Sequence, residues 1–458
     1  MIVNDSLLDT VKRFHFIGIG GSGMCPLAEI LHHEGYTLTG SDVNETDTLA
    51  RVRSYGIPVF MGHRAENIGN AQAVVYTAAI MKDNPELLAA KKKGIPLVER
   101  SVMLGMISRR YGRTVAVSGT HGKTTTTSMI TQILLTGQMD PTVVIGGKLP
   151  FMGSSGRVGK SDIMVCEACE FVDTFLQLTP AISVILNIDA DHLDYFGTLE
   201  NVIKSFRQFA TQTTHALVVN GDDANTQKAV KGLEKEIWTF GFDQSNDYAA
   251  RKVEMTAGSH AKFEVAFRGE TLCEITLRIP GRHNIYNALA AVAAAHRLGA
   301  DPKVMEESLD AFTGAGRRFE ILGKPNGITI ADDYAHHPAE LEATLVAAKE
   351  MGFRKVWAVF QPFTYSRTAM LLDDFARVLA IADHVVMTEI MGSREINTYG
   401  IYTKDLAAKI PGSVWFNTFE EVADHVVRNA GPGDLVITLG CGDIYKAAKL
   451  MLKKYGQA

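Results

Sequence analysis

The chain is poor in cysteine, with five in 458 residues, an odd number at no framework spacing. That usage argues against a disulfide-stapled secreted scaffold and fits a reducing cytoplasm. A charge excess is also missing. Lys plus Arg number 46 against 51 Asp plus Glu, a formal balance of −5, which leaves no electrostatic footprint for a nucleic-acid coat. Long apolar runs are absent too. The longest, around Ala288 to Ala295, falls far short of the ~18 residues that a membrane span needs. The first residues carry Asp5 and Asp9 and no basic-then-apolar stretch, so no secretory leader is expected. No internal repeat or low-complexity tract is visible. The length accommodates roughly three ordinary domains and buries ample core without disulfides or structural metals. These absences predict a cytoplasmic multidomain protein, expected to be an enzyme, with no nucleic-acid or membrane partner; composition does not choose between a monomer and a homodimer.

What is present is an alternation of short apolar strands with helical stretches. Phe14 to Ile17, Thr37 to Gly40 and Val74 to Thr77 read as strands; Ser22 to His33, Asn84 to Lys93 and Ser101 to Arg110 read as helices. Such alternation predicts βαβ units on a parallel sheet. A second α/β block begins at Thr114, with strands at Ile163 to Glu167, Ile182 to Ile188 and Ala216 to Asn220. Between about Trp238 and Leu277 the period falls to two, which predicts antiparallel strands appended to that block. A third α/β block follows GAGRRFE, with strands near Ile328 to Asp332, Val356 to Phe360, His384 to Met387 and Leu435 to Leu439. Boundaries near 111 and 318 therefore divide the chain into domains 1–111, 112–318 and 319–458.

Two glycine-rich turns carry the strongest chemical signals. Gly18-Ile-Gly20-Gly21-Ser22-Gly23 follows a strand and precedes a helix, and Asp42 closes the next strand. The glycines permit close backbone approach, and the helix start offers free N–H groups to a diphosphate. NAD and a nucleotide-sugar diphosphate use the same groups, so the turn names a diphosphate and not yet its owner. Gly119-Thr120-His121-Gly122-Lys123-Thr124-Thr125 follows the β-branched strand TVAV and opens a helix. There the backbone would wrap phosphates, Lys123 would meet β/γ oxygens and the Thr124 hydroxyl would ligate Mg²⁺. It departs from a strict Walker A because Val117 stands where that pattern wants Gly.

Polar clusters at other strand ends extend the picture. Glu167 is placed to complete a Mg²⁺ shell, with Glu170 either a second candidate or a solvated loop acid. Asn187, Asp189, Asp191, His192 and Asp194 end a sheet strand, which marks a ligand crevice; His192 is a candidate ligand for a metal or a phosphate. Cys166-x-x-Cys169 has no second pair at zinc spacing and no thioredoxin-like helix after it, so Cys25, Cys273 and Cys441 are read as buried small apolar groups. Asn284 and Asn287, beside His283, would read an adenine edge or cap a helix. Arg317 and Arg318 follow a glycine-rich hinge, where an arginine can neutralise a γ-phosphate in the transition state. Asp332, Asp333, His336 and His337 end the first strand of the third block.

Taken in order, GIGGSGM (18–24), SGTHGKTTTT (118–127), EACEFVDTFLQLTP (167–180), NIDADHLD (187–194), GRHNIYNALAA (281–291), GAGRRFE (314–320), DDYAHHP (332–338), FQPFTYSRT (360–368) and LGCGDI (439–444) resemble the Mur ligase family. Its members are ATP-dependent amide-forming enzymes of peptidoglycan synthesis. The resemblance implies a Rossmann-like N-terminal domain for a UDP-sugar, a central P-loop ATPase-type domain and a Rossmann-like C-terminal domain for the amino acid. It further implies ATP and Mg²⁺, with UDP-N-acetylmuramate and L-alanine as the substrates joined. The Gly18, Gly20, Gly21, Ser22 and Gly23 turn would bind the UDP diphosphate, and Asp42, His63, Thr77 and Ala79 the rest of that substrate. Gly119 to Thr125, Asn284, Asn287 and Asp333 would hold ATP; Thr124, Glu167 and His192 the metal. Lys123, His192, Arg318, His336 and His337 would be catalytic, and Arg367 and Arg394 would line the amino-acid cleft. Closure of the third domain on the second is expected, to shield an acyl phosphate from water. Phe363 stands where the family often has His, and the position of a carbamylated lysine near Lys204 is left unassigned. A ligase that attaches a preformed peptide shares most motifs. A nicotinamide dehydrogenase leaves GTHGKTT without a purpose, and a non-catalytic nucleotide-binding regulator has no need of the Asp/His clusters.

Overall fold

The first two blocks open on a hydrophobic strand whose carboxyl end carries a polar motif, and in the third the motif ends the second strand. The structure, a computed structural model, describes residues 5–256, 258–393 and 395–456. In the first block, β1 (Arg13–Ile17), β2 (Thr37–Asp42), β3 (Val59–Met61), β4 (Ala73–Tyr76) and β5 (Leu97–Glu99) pair in the order β3-β2-β1-β4-β5. All four pairings are parallel. Strand order leaves β1 in both directions, so the turn after β1 sits at a topological switch point. The helix after it runs Cys25–His33, with Pro26 in its first turn. It starts later than Ser22 because residues 18–24 are used in a tight turn and proline favours the first helical positions.

The second block forms a ten-stranded sheet. Its strands are β6 (Arg113–Ser118), β7 (Thr142–Leu149), β8 (Ser154–Arg157), β9 (Ile163–Glu167), β10 (Ile182–Ile185), β11 (Ala216–Asn220), β12 (Glu236–Gly241), β13 (Tyr248–Thr256), β14 (His260–Phe267) and β15 (Glu270–Thr276). They lie in the order β15-β14-β13-β12-β11-β10-β6-β9-β7-β8. Strand β6 is flanked by β9 and β10, both parallel to it, which makes a second switch point. The appended segment differs in part from its period-two reading: β12 runs parallel to β11, and β13 parallel to β12. A local alternation reports one covered face and carries no information on strand direction.

The third block is a six-stranded sheet, β16 (Glu320–Gly323), β17 (Thr329–Asp333), β18 (Val356–Phe360), β19 (His384–Thr388), β20 (Val414–Phe416) and β21 (Leu435–Leu439), ordered β16-β17-β21-β18-β19-β20. Only β16 pairs antiparallel among the described pairings of this sheet. Both faces are covered: Val356, Ala358 and Phe360 enter one apolar cluster, Trp357 and Val359 the other. That is why β18 is continuously hydrophobic.

The chain divides into two compact units, one of residues up to 251 with 264–274 and 286–309, the other of 252–263, 275–285 and 310 onward. The first two blocks thus pack as one unit. A single apolar cluster runs from Phe14, Met24 and Leu31 of the first to Met164, Phe206 and Leu217 of the second. Ser155 Oγ donates to the Ser22 carbonyl at 3.2 Å and Arg51 to the Gly156 carbonyl at 3.3 Å. Among the described residues no helix is long and apolar enough to cross a membrane.

The same seam is tight at Gly105, in the helix Arg100–Ser108, where a Cβ would collide with the Gln177 carbonyl that also accepts from Arg109 at 2.7 Å. Gly105→Ala is expected to lower stability by about 1–3 kcal/mol through overpacking. Urea unfolding measures this, and an unchanged midpoint would show that the seam yields freely.

Candidate active site

The turn after β1 is held from β2 and from the loop after β4. Gly18 has φ +78, and a Cβ there would stand 3.2 Å from Thr77 Cγ2. The Ser41 carbonyl accepts from Gly18 N at 2.8 Å and Ile19 N at 3.1 Å. Asp42 accepts from Gly20 N at 2.9 Å through one oxygen, and from Val43 N at 2.8 Å and Asn44 N at 3.0 Å through the other. Gly21 N closes back on the Gly18 carbonyl at 3.1 Å, and Gly23 packs on the Arg100 side chain. Ala79 N reaches Thr77 Oγ1 at 3.3 Å, and His63 Nδ1 lies 3.0 Å from Ser41 Oγ. The structure therefore brings together Gly18, Gly20, Asp42, His63, Thr77 and Ala79 at one sheet edge. Asp42 does so with both oxygens engaged by backbone amides.

The loop after β6 is pinned by the segment after β10. Thr120 N donates to the Asn187 carbonyl at 3.0 Å, His121 N to Asn187 Oδ1 at 2.8 Å, and Asn187 Nδ2 to the His121 carbonyl at 3.1 Å. Asp189 N donates to Thr120 Oγ1 at 2.9 Å, and His121 Nε2 stands 3.6 Å from Asp189. Gly122 caps the helix Lys123–Thr136 at φ +86, against Asn287 Oδ1, which also takes the Thr126 hydroxyl at 3.2 Å. A left-handed residue with no room for a Cβ has to be glycine. First-turn amides of such a helix have no intrahelical acceptor and face what the loop cradles.

Lys123 Nζ meets the Gly119 carbonyl at 2.5 Å, the Thr120 carbonyl at 3.1 Å and Glu170 at 2.9 Å. Desolvation opposes its charge, but Glu170 with Glu167 nearby holds the ammonium above its ordinary range. Glu170 is only 2% exposed, so it is a buried partner and no solvated loop acid. Glu167 accepts from Gly146 N at 2.7 Å. The chain then passes through Phe171, Val172 (φ +53) and Asp173 (φ +56). A β-branched residue at positive φ is strained; Asp173 is held by the Tyr195 hydroxyl at 2.7 Å and by Ser205. His192, at φ +54, lays its ring 4.6 Å from that of Phe171 and 3.7 Å from Asp191. Cys166 and Cys169 are free thiols, and burial pushes the former up to about 12, which suits neither redox nor metal chemistry.

Among the described residues no three His, Cys, Asp or Glu side chains form a metal site by themselves. Mg²⁺ asks for less, since one or two carboxylates suffice when nucleotide phosphates and waters fill the shell. The Thr124 hydroxyl and the Glu167 carboxylate, beside the Lys123 loop, fit that demand.

In the second unit the polar groups gather at the ends of β17 and β21. Arg317 donates to Asp332 at 2.8 Å and to the Gly440 carbonyl at 2.6 Å, and lies over the Tyr334 and Tyr445 rings. Arg318 lies 5.0 Å over Tyr334. Asp333 accepts from Phe319 N and Ala335 N, both at 2.7 Å. His336 Nδ1 sits 3.0 Å from the Tyr334 carbonyl and 3.2 Å from Glu340. His337 caps the helix Pro338–Glu350. Burial pushes the Cys441 thiol up, and Arg367, in the helix Tyr365–Met370, pulls the other way. Cys441 is half-buried at the end of β21, unlike the fully buried Cys25 and Cys273. Asn284 bonds the Pro280 carbonyl at 2.7 Å, and Arg394 lies outside the described residues.

Two participants escaped sequence reasoning. The Glu170 partnership was open, because spacing alone does not tell a buried acid from a solvated one. Glu86 carried no signal: N-P-E reads as an acid in the first turn of an Asn-capped helix, a position usually exposed.

Three family models cover most of the chain: "Mur ligase family, catalytic domain" over residues 13–112, "Mur ligase middle domain" over 117–295 and "Mur ligase, glutamate ligase domain" over 317–442. The chain is 45% identical to the UDP-N-acetylmuramate–L-alanine ligase of Caldanaerobacter subterraneus subsp. tengcongensis, over 98% of each. It is also 45% identical to the enzyme so named from Agathobacter rectalis, over 96% of this chain and 98% of that one. The crystal structure of UDP-N-acetylmuramate-alanine ligase from Thermotoga maritima matches with TM-score 0.83 at 29% identity, covering 97% of this chain and 99% of that one. A murein peptide ligase from Psychrobacter arcticus matches with TM-score 0.76 at 25% identity, over 98% and 99%.

Asp333 generates a titration that can be checked. Burial pushes its carboxyl up to about 6, against the pull of Arg318 and the two amide donors. The unfolded value is 3.8, so between these limits the native state binds a proton that the unfolded chain has lost. Stability is expected to fall as pH rises through that window. Carbon-13 titration of the Asp333 carboxyl should show a midpoint near 6; a midpoint below its unfolded value would mean that the donors win.

Proposed function

The chain belongs to the Mur ligase family, and we propose that it joins L-alanine to the lactyl carboxylate of UDP-N-acetylmuramate at the expense of ATP, a step of peptidoglycan precursor synthesis in the cytoplasm. The observation that carries the chemistry is Lys123, a charged, half-buried ammonium on a glycine-turned helix start beside Glu167 and Glu170. The choice of acceptor is supported by full-length relatives that bear the alanine ligase name.

The division of labour follows the three-domain reading, 1–111 for the nucleotide sugar, 112–318 for ATP and 319–458 for the amino acid. A carboxylate is a poor electrophile. Its oxygen attacks the γ-phosphorus, the bond to the β-phosphate breaks, and ADP leaves behind an acyl phosphate. The neutral amine of alanine adds to that carbonyl, and the tetrahedral intermediate expels phosphate. Lys123 and the first-turn amides hold the polyphosphate and take up charge as it shifts to the leaving oxygen, so that positioning and electrostatics supply most of the acceleration. Thr124 and Glu167 would hold Mg²⁺, which when bound neutralises phosphate oxygens; His192 is the further ligand we assign. Asn287 supports the phosphate loop and Asn284 and Asp333 the nucleoside side. Arg318 offsets γ-phosphate charge, and His336, His337 and Arg367 line the alanine cleft.

Phosphate release from ATP with Mg²⁺, UDP-N-acetylmuramate and L-alanine, omitting one component at a time, tests this reading. Release that requires all of them, with alanine preferred to a preformed peptide, is the expected result. Release with the peptide alone moves the chain to a peptide-attaching role, and silence throughout moves it to a binding role. Lys123→Ala is expected to cut turnover by about a thousandfold or more while UDP-N-acetylmuramate still binds; near-normal turnover would sink the ATP assignment.

A further inference from the structure

Glu86 is a fully buried carboxylate that the proposed reaction does not use. It lies in the first turn of the helix Pro85–Lys92. One of its oxygens takes the Ser41 hydroxyl at 2.6 Å and faces His15 Nε2 at 3.4 Å and His63 Nδ1 at 3.5 Å. The other takes Asn67 Nδ2 at 2.6 Å and Arg64 N at 3.3 Å. Burial works against its charge, but the bonds from His15, Ser41 and Asn67 outweigh it and hold the carboxyl below its ordinary range. An ionised carboxylate only accepts, so each group that faces it has to donate.

The protons can then be counted. Ser41 has one hydroxyl proton, and Glu86 takes it. The 3.0 Å contact between Ser41 Oγ and His63 Nδ1 is therefore donated by the ring. The second neighbour of Nδ1 is Glu86 itself, again an acceptor. The ring proton sits on Nδ1. With Nδ1 turned inward, Nε2 is the nitrogen that faces out, and the His63 side chain does reach the surface, at 15% exposure. Ser41 also holds the glycine turn, through its carbonyl to Gly18 and Ile19. One buried acid thus orders both the diphosphate turn and the ring beside it.

We propose that Glu86 is a positioning residue for the substrate of this lobe: through Ser41 it fixes His63 as the Nδ1–H tautomer and presents Nε2 as an acceptor for an N–H or hydroxyl of the nucleotide sugar. The proposal rests on the reading of this lobe as the nucleotide-sugar site. Glu86→Gln is the informative change. The amide oxygen would keep the Asn67 and Arg64 donors, which turns the NH₂ toward Ser41 and His63 and reverses the direction of donation.

Nitrogen-15 spectra of the His63 ring in the full chain, read where the ring is neutral, are expected to show the Nδ1–H form in the wild type and the Nε2–H form in E86Q. In the same variant the KM for UDP-N-acetylmuramate should rise about tenfold, as loss of one hydrogen bond to a neutral acceptor does, while kcat and the KM values for ATP and L-alanine stay within about twofold. Ser41→Ala, a milder change that removes only the bridging hydroxyl, should raise the same KM severalfold and carries the test if E86Q does not fold. An Nε2–H ring in the wild type, an unchanged nucleotide-sugar KM in a folded variant, or a uniform loss across all three substrates would each overturn the proposal. Failure of wild-type protein to bind UDP-N-acetylmuramate would instead sink the reading of the lobe, and is seen before any variant is compared.

Discussion

The constraint on which the catalytic lobe depends is that a lysine ammonium is kept charged at the end of a parallel sheet, largely out of water. Such a charge needs partners at every moment. Lys123 finds them in Glu170 and in the carbonyls of Gly119 and Thr120. Those carbonyls are available because the loop is folded back over the helix start. The loop keeps that shape because Asn187 and Asp189 grip Thr120 and His121 from the segment after β10. Gly122 keeps it because no side chain fits beside Asn287. Residues from 119 to 287 therefore serve one electrostatic requirement.

The other polar clusters obey the same topology with different chemistry. A parallel sheet delivers strand ends to one edge, and at a switch point neighbouring chains diverge and leave a crevice. The turn after β1 occupies one such place and the loop after β6 another. Asp42 shows how the edge is organised: a carboxylate at the end of β2 takes the Gly20 amide of the glycine turn through one oxygen and two amides of the chain that follows it through the other. Asp333 does the equivalent at the end of β17 with two amides. At both positions the acid builds the site through the backbone.

Much of this was legible from residue order. The strands Ile163–Glu167, Ala216–Asn220, Val356–Phe360 and Leu435–Leu439 stand where their hydrophobic runs put them, because strands buried on both faces leave a dense apolar signal. The phosphate loop was legible because its glycines and lysine are adjacent in the chain. Less visible were features whose partners are distant in sequence. Glu170 pairs with a lysine 47 positions away, and Glu86 with a serine 45 positions away. The direction of β12 and β13 was hidden for the same reason, since pairing is a property of two segments. The joining of the first two blocks depends on an apolar cluster shared between them, which no single segment displays.

By itself the sequence determined the α/β class, the two glycine-rich strand-turn-helix motifs and the family to which they point, because each depends on residues close along the chain. The tertiary structure alone decided which acids are buried, which arginine is tied down and which ring nitrogen of His63 meets Ser41 and Glu86. Arg317 and Arg318 are adjacent and chemically alike, yet only Arg317 is bonded to Asp332 and Gly440 among the described contacts. Burial and proton direction arise from groups that converge across folded space, and an ionisable side chain takes its character from that company.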